Sequence, residues 1–352
     1  MSTNLGTTKI SEQKKYTNNL KILDCTLRDG GYINNWEFGE KTAEEIIYLL
    51  NKAGIDLIET GFLSAGAHNK DKTLFNTFDD INRFIPNNVS REKLVAMIKY
   101  GNFPIEKVPN TENAPVKGIR LIFKKNQKKE ALAYCRELKS KGYNLFINPT
   151  FIDEYYKNEI IELLNDINNI MPFGFTIVDS TGSLNENDLD ELYAIIDKNL
   201  NESITICLHS HNNLELSYTN AKKIIDTPKK RNIIIDSTIL GMGRGAGNLC
   251  TEQITEYINI KYGKRYILEP MHKIIGNIIK PVFIKTPWGY AQQYRISALN
   301  HCHPNYATYL VNLKKVSIEK LDELLKYIPD PKKSTYDEFL IEQIFNQHTA
   351  NL

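Results

Sequence analysis

The feature that most limits the fold of this chain is a pattern repeating about every 30 residues: a short apolar, β-branched run followed by a helically spaced segment. The runs are "KILDCTL" from Lys21, "IDLIETGF" from Ile55, "KLVAMIKY" from Lys93 and "GIRLIFKK" from Gly118. They continue as "YNLFINPT" from Tyr143, "GFTIVDST" from Gly174, "SITICLHSH" from Ser203 and "NIIIDSTIL" from Asn232. The clearest intervening helix is "EKTAEEIIYLLNKAG", Glu40 to Gly54, with an acidic first turn, apolar Ile46, Ile47, Leu49 and Leu50, and a glycine stop. Strand, helix, strand at this spacing is the βαβ unit, whose crossovers make parallel sheets.

Eight units over about 250 residues predict a (β/α)8 TIM barrel, an α/β fold. A doubly wound open sheet would carry its glycine-rich turn after the first strand. Here "GMGRGAGN", Gly241 to Asn248, follows the eighth, which argues against a dinucleotide fold. The alternation stops near Lys264. The expected organisation is a loose tail over residues 1–20, a barrel over 21–263 and a helical C-terminal region over 264–352.

The formal charge of +2 gives no reason to expect nucleic acid or an anionic membrane as partner. The lysine clusters "KKNQKK" (Lys124 to Lys129) and "TPKKR" (Thr227 to Arg231) read as solvated loop and helix-start charges. The five cysteines are scattered and never form CxxC, so a reducing cytoplasm is the expected compartment. The polar N-terminus has no apolar h-region and is not expected to be a signal peptide. No apolar run approaches the roughly 20 residues that a membrane helix needs.

In such a barrel, chemistry gathers at the carboxyl ends of the strands. The residues expected there include Arg28, Asp29, Glu59, Lys99, Tyr100, Asn148, Asp179, His209, His211, Asp236 and Asn248. In "LHSHNN", His209 and His211 share a face with Thr205 and Cys207, because side chains two apart on a strand point the same way. Two imidazoles on one face, with Asp29 available from strand one, can ligate a divalent ion and leave positions for substrate. Arg28 is then placed to stabilise a developing enolate oxygen. Gly30 and Gly31 are expected to allow a sharp turn and let substrate approach the backbone, with Asn148 as a further substrate contact. The alternative is a structural Arg–Asp pair and two hydrogen-bonded histidines. His68, His301, His303, Cys25, Cys207, Cys250, Trp36 and Trp288 are expected mainly to pack or to sit on the surface, His68 in a loop after strand two.

Four stretches in order, "DCTLRDGGY", "LIETGF", "LHSHNN" and "GMGRGAGN", resemble the signatures of the DRE-TIM metallolyases. That family includes 3-hydroxy-3-methylglutaryl-CoA lyase, isopropylmalate and homocitrate synthases, and 4-hydroxy-2-oxovalerate aldolases. The resemblance implies that Asp29, His209 and His211 bind a divalent metal, Mn2+ or Mg2+, with Asn248 joining them in some members. It implies that Arg28 stabilises the enolate, that Glu59 orders the metal's surroundings, and that Asp236 and Ser237 are mainly structural. "GYAQQYRISALNHCHPNYATYL", from Gly289, resembles the C-terminal helix of the pyruvate aldolases. It makes Tyr290, then Tyr294, the candidate for an active-site hydroxyl.

One position departs from the aldolases: where they carry a catalytic His, this chain has Tyr32. A free phenol titrates near ~10, which is high for a base at neutral pH. The base is Tyr32 perturbed by its surroundings, or Glu59, His68 or a histidine of "NHCHPNY", or the substrate differs. The resemblance implies aldol cleavage or condensation of a pyruvate-type 2-oxo acid with an aldehyde. The alternatives are an acyl-CoA Claisen condensation, with Lys99, Lys124 and Lys125 near the CoA phosphates, and an inactive barrel serving as a partner subunit. A homodimer is expected. So is an aldehyde-processing partner enzyme, since pyruvate aldolases often pair with one.

Overall fold

In the computed structural model, which describes residues 19–66, 69–227, 231–263 and 265–349, eight parallel strands close into a barrel. They are β1 (Leu20–Asp24), β2 (Leu57–Leu63), β3 (Leu94–Lys99), β4 (Gly118–Phe123), β5 (Asn144–Pro149), β6 (Gly174–Asp179), β7 (Thr205–Ser210) and β8 (Ile233–Ser237). Each pairs with the next in sequence, and β1 closes the ring by pairing both β8 and β2. The fold is a (β/α)8 TIM barrel with added C-terminal helices. Residues 1–18, His68, Lys264 and part of "TPKKR" lie outside the described residues.

Strand parity divides the core. Leu23, Leu57, Val95, Phe146, Cys207 and Ile234 point inward and form a small plug inside the barrel. Their neighbours Ile22, Ile58, Leu94, Leu145, Ile206 and Ile235 point outward into the larger layer shared with the helices. Those helices include α1 (Glu40–Ala53), α2 (Phe78–Asn82), α3 (Lys128–Ser140), α4 (Lys157–Ile170), α5 (Glu186–Asn199), α6 (Ser217–Asp226) and α7 (Thr251–Tyr262). Helix α1 buries Ala43, Ile46, Ile47, Leu50 and Ala53, and stops at Gly54, whose φ of 84° is left-handed. Between β3 and β4 only two 3-10 turns occur, Ile105–Lys107 and Thr111–Asn113.

Two local departures position the site. Strand β1 ends at Asp24, not at Leu27, and the chain tightens into a π-helical turn over Thr26–Gly30. Asp24 accepts from the Thr26 amide at 2.9 Å, while the Cys25 carbonyl accepts from the amides of Arg28 (3.1 Å) and Asp29 (2.8 Å). In β2 the register with β3 shifts between Glu59 and Phe62. Gly61 sits there with φ +150°, and a Cβ would lie 2.1 Å from the Thr73 carbonyl oxygen.

The C-terminal helices divide by core. Tyr266, Met271, Ile274, Ile279 and Trp288 join the barrel's outer layer. A second core begins at Ile296 and runs through Tyr306, Leu310, Leu321, Leu324 and Ile341. Arg231, expected among solvated charges, is 4% exposed and donates to the carbonyls of Asp197, Leu200, Asn201 and Ile204. It caps the end of α5, where unpaired carbonyls favour a cation.

Candidate active site

One step above the inner plug, the inward positions turn polar: Glu59 on β2, Arg120 on β4, Asn148 on β5, His209 on β7 and Asp236 on β8. With Arg28 and Asp29 from the π-helical turn they form a continuous buried chain of charges. His209 Nδ1 lies 3.1 Å from Asp236 Oδ2, and Asp236 accepts from Arg120. Arg120 Nη1 reaches Glu59 Oε2 at 3.2 Å, and the same oxygen accepts from Arg28 Nε at 2.8 Å. Arg28 Nη1 then donates to Asp29. Asn148, with its amide oxygen turned to Arg120, accepts from Nη2 at 2.9 Å.

Asp29, His209 and His211 converge at the end of this chain. Each offers one ligand atom, and these atoms lie within 4.8 Å of one another. Burial, with the like charges of Arg28 and Arg244, presses His211 down to about 3, so its imidazole is neutral, the form that ligates metals. Burial alone would raise the Asp29 carboxyl, but Arg28 and His211 hold it well below the usual carboxylate range. Asp236 beside His209 Nδ1 is the outer carboxylate that commonly orients a ligating histidine. The buried chain carries three carboxylates and two guanidiniums, hence a formal charge of −1, which suits a bound cation. Asn248 donates to Asp29 Oδ2 at 2.7 Å, and its own Oδ1 is buried without a partner among the described residues. His211 and Asn248 also form an antiparallel bridge, which ties the glycine loop to the end of β7. This donor set fits a divalent ion.

A cavity of ≈ 210 Å³ opens above these groups, lined by Arg28, Asp29, Tyr32, Asn148, His209 and His211 together with residues from the loops above. Among the described residues Arg28 Nη2 is buried without an acceptor, although Arg28 lines the cavity. Glu59 is fully buried beneath the two arginines and does not line the cavity, so it holds Arg28 and does not face substrate.

Three expected placements differ. Gly30 and Gly31 have φ values of −59° and −58°, ordinary helical values, and neither lines the cavity. A Cβ on Gly31 would lie 2.1 Å from Trp36 Cδ1, so the glycine admits an indole, not substrate. Trp36 Nε1 in turn donates to the Arg28 carbonyl at 2.7 Å. Tyr290 is 54% exposed, its hydroxyl donates to Gln292 at 2.7 Å, and neither it nor Tyr294 lines the cavity. Trp288 anchors that segment by donating to the Leu240 carbonyl at 2.9 Å. Asp179 turns outward and accepts from the amides of Ser183 and Leu184.

Tyr32 does line the cavity, packed edge-on against Trp36 and Phe62, with the Arg244 guanidinium 3.8 Å from its ring centroid. His303 lines the cavity, whereas His301 is exposed near Asp153. Arg120, Arg244 and Tyr336 were not singled out from sequence as site residues, and Lys124 was named only for the acyl-CoA alternative. For Arg120 a signal was present: a charge at an inward position of an apolar strand.

A family model described as HMGL-like matches residues 19–268. A 2-isopropylmalate synthase of Geobacillus sp. (strain Y412MC10) is 23% identical over 69% of this chain, and the match spans 48% of that protein, about half its length. A 4-hydroxy-2-oxovalerate aldolase of Pelotomaculum thermopropionicum is 24% identical over 66% of this chain and 68% of its own. Among solved structures, the N-terminal domain of a provisionally described aldolase from Bacteroides vulgatus superposes with a TM-score of 0.71 at 26% identity. It covers 85% of this chain and 99% of that domain. The matched segment contains every barrel strand described above, so the chain belongs to the HMGL-like family, within the DRE-TIM superfamily.

Proposed function

We propose that this protein is a divalent-metal-dependent carbon–carbon lyase or synthase that joins a pyruvate-type 2-oxo acid to an aldehyde, or cleaves the product. The observation that carries the reading is the unsatisfied Arg28 Nη2 beside the Asp29–His209–His211 cluster: a buried donor with no acceptor among the described residues, next to a cation-ready set. Asp29, His209 and His211, with Asn248 beside them, would hold the ion, Mn2+ or Mg2+. When bound, it would act as a Lewis acid toward the substrate's carboxylate and keto oxygens.

Arg28 supplies a fixed positive charge where the enolate oxygen develops. Glu59 and Arg120 keep that guanidinium from swinging away, so it needs no reorganisation when charge appears. Asn148 and Tyr32 form the walls that orient the substrate. In the synthetic direction the methyl carbon, having lost a proton, forms a bond to the aldehyde carbon, and the aldehyde oxygen takes up a proton. All five cysteines are free thiols, which suits a reducing compartment such as the cytoplasm. No helix among the described residues is long and apolar enough to cross a membrane.

The test is exchange of the pyruvate methyl protons in D2O, followed by NMR after chelator treatment and again after Mn2+ or Mg2+ is restored, with acetyl-CoA in parallel. Metal-dependent exchange into pyruvate, lost together with metal binding in Asp29→Ala, is the expected result. Exchange into acetyl-CoA alone would replace this reading with a Claisen condensation, which Lys99 and Lys124 at the cavity wall would favour. Exchange into neither, with metal bound, would overturn both.

A further inference from the structure

The upper wall of the cavity is built from groups that the enolate chemistry leaves unused. Arg244, in the glycine loop after β8, sits over the Tyr32 ring, its guanidinium carbon 3.8 Å from the centroid. Its Nη1 is 3.2 Å from His303 Nε2, and its Nε is buried without a partner among the described residues. His303 Nδ1 lies 3.2 Å from the Asn305 amide. A neutral imidazole has only one accepting nitrogen, so it cannot accept from both the Asn305 amide and Arg244 Nη1, and one of these donors lacks an acceptor. Burial and the neighbouring Arg244 press His303 down to about 3, so its imidazole is neutral.

The charges nearest this pair are mostly cationic, with Glu154 beyond ion-pair distance of Lys124 and Asp29 lower in the same cavity. Lys99 and Lys124 line the same cavity, close enough that the Lys99 charge helps to lower the Lys124 ammonium, after burial. Among the described residues, none of Lys99, Lys124 and Arg244 has a carboxylate within ion-pair distance. Arg28 differs, because Glu59 and Asp29 meet its charge. A donor without an acceptor and cations without ion-pair partners in a concave wall call for an anion.

We propose that Arg244 and His303, backed by Lys124 and Lys99, bind an anionic group, carboxylate or phosphate, carried by the aldehyde substrate. The inference deepens the pyruvate–aldehyde reading and rests on it for the identity of the carrier. The anionic group takes no part in bond making; it holds the aldehyde over the enolate carbon. Tyr32 is then a platform that fixes Arg244 by stacking.

The experiment has two parts on the full chain. Succinate and inorganic phosphate are titrated calorimetrically into wild type, Arg244→Met and His303→Phe. One of the two anions is expected to bind wild type, at least tenfold more weakly to each variant. With metal and pyruvate, kcat/KM is then compared for succinic semialdehyde, glyceraldehyde 3-phosphate and neutral butanal. The anionic aldehyde of the class that bound is expected to be preferred at least tenfold, and the preference to collapse towards one in Arg244→Met. Failure of both anions to bind overturns the proposal, as do unchanged binding in both variants and equal use of butanal. If pyruvate does not exchange while anion binding still depends on Arg244, the donor assignment and the aldehyde carrier fall and the anion site stands.

Discussion

At the residue scale, the site depends on a side chain that never touches the cavity. Arg120 is fully buried and joins Glu59 to Asp236 across the barrel. Removing it would leave two carboxylates buried with half their compensation, and breaking a buried ion pair from one side costs ~3–5 kcal/mol. Arg120→Met is therefore expected to lower the free energy of urea unfolding by about that amount; a loss under about 1 kcal/mol would show that Glu59 and Asp236 do not need it. Asp29, His209 and His211 were readable because HxH on a strand fixes two imidazoles on one face, and strand ends converge in a barrel. The surroundings of Tyr32 were not, since Arg244 and Trp36 meet it only through packing. Tyr290 was misplaced because an aromatic in a loop has no periodicity to say which way it faces. Gly31 was assigned to substrate because sequence marks a close approach without saying what approaches.

At the element scale, strand order and inward parity followed from the sequence pattern alone, since parallel βαβ units leave few other arrangements. The end of β1 did not, because a continuing apolar run gives no sign of a side-chain cap. That cap is Asp24, where β1, β8 and α7 meet. Its carboxylate accepts from the Thr26 amide and the Thr251 hydroxyl, and Thr251 also reaches Ser237 at 2.8 Å. Burial raises Asp24 from 3.8 to about 6, against the opposing hydrogen bonds from Thr251 and Thr26. A carboxyl whose folded pKa is raised favours the folded state most below 3.8, and that contribution declines as pH rises to about 6. Asp24→Asn keeps the shape, with the amide facing Thr251 while that hydroxyl donates to Ser237, and removes the titration. The stability of the variant relative to wild type is expected to rise between pH 4.5 and pH 7, by about 2 kcal/mol. Urea unfolding at the two pH values, in chelator, measures it; a flat difference would mean that Asp24 is not titrating there.

At the scale of the whole molecule, the question is where the barrel ends. The end of the strand–helix alternation suggests residue 263, but the packing continues further. Tyr266, Met271, Ile274 and Ile279 are fully buried against the barrel, and Tyr266 donates to Asp56 at 2.7 Å. Each such side chain contributes roughly 1.5–3 kcal/mol of burial. The four together approach the 5–15 kcal/mol by which a typical domain is stable. The core that starts at Ile296 is a separate cluster, and it meets the barrel through polar contacts such as Arg244 with His303 and Lys124 with Thr335. A chain ending at residue 263 is therefore expected to be insoluble or unfolded. A chain ending at residue 291 is expected to unfold cooperatively and to keep the Asp29–His209–His211 cluster, so that Mn2+ still raises its melting temperature. It lacks His303 and the Ser334–Tyr336 wall of the cavity, so it is expected to lose the preference for an anionic aldehyde. Circular dichroism melts of the two truncations, with and without Mn2+, decide the boundary: equal stability of both would place the barrel's end at residue 263, and failure of both would make the second core part of the barrel's own folding unit.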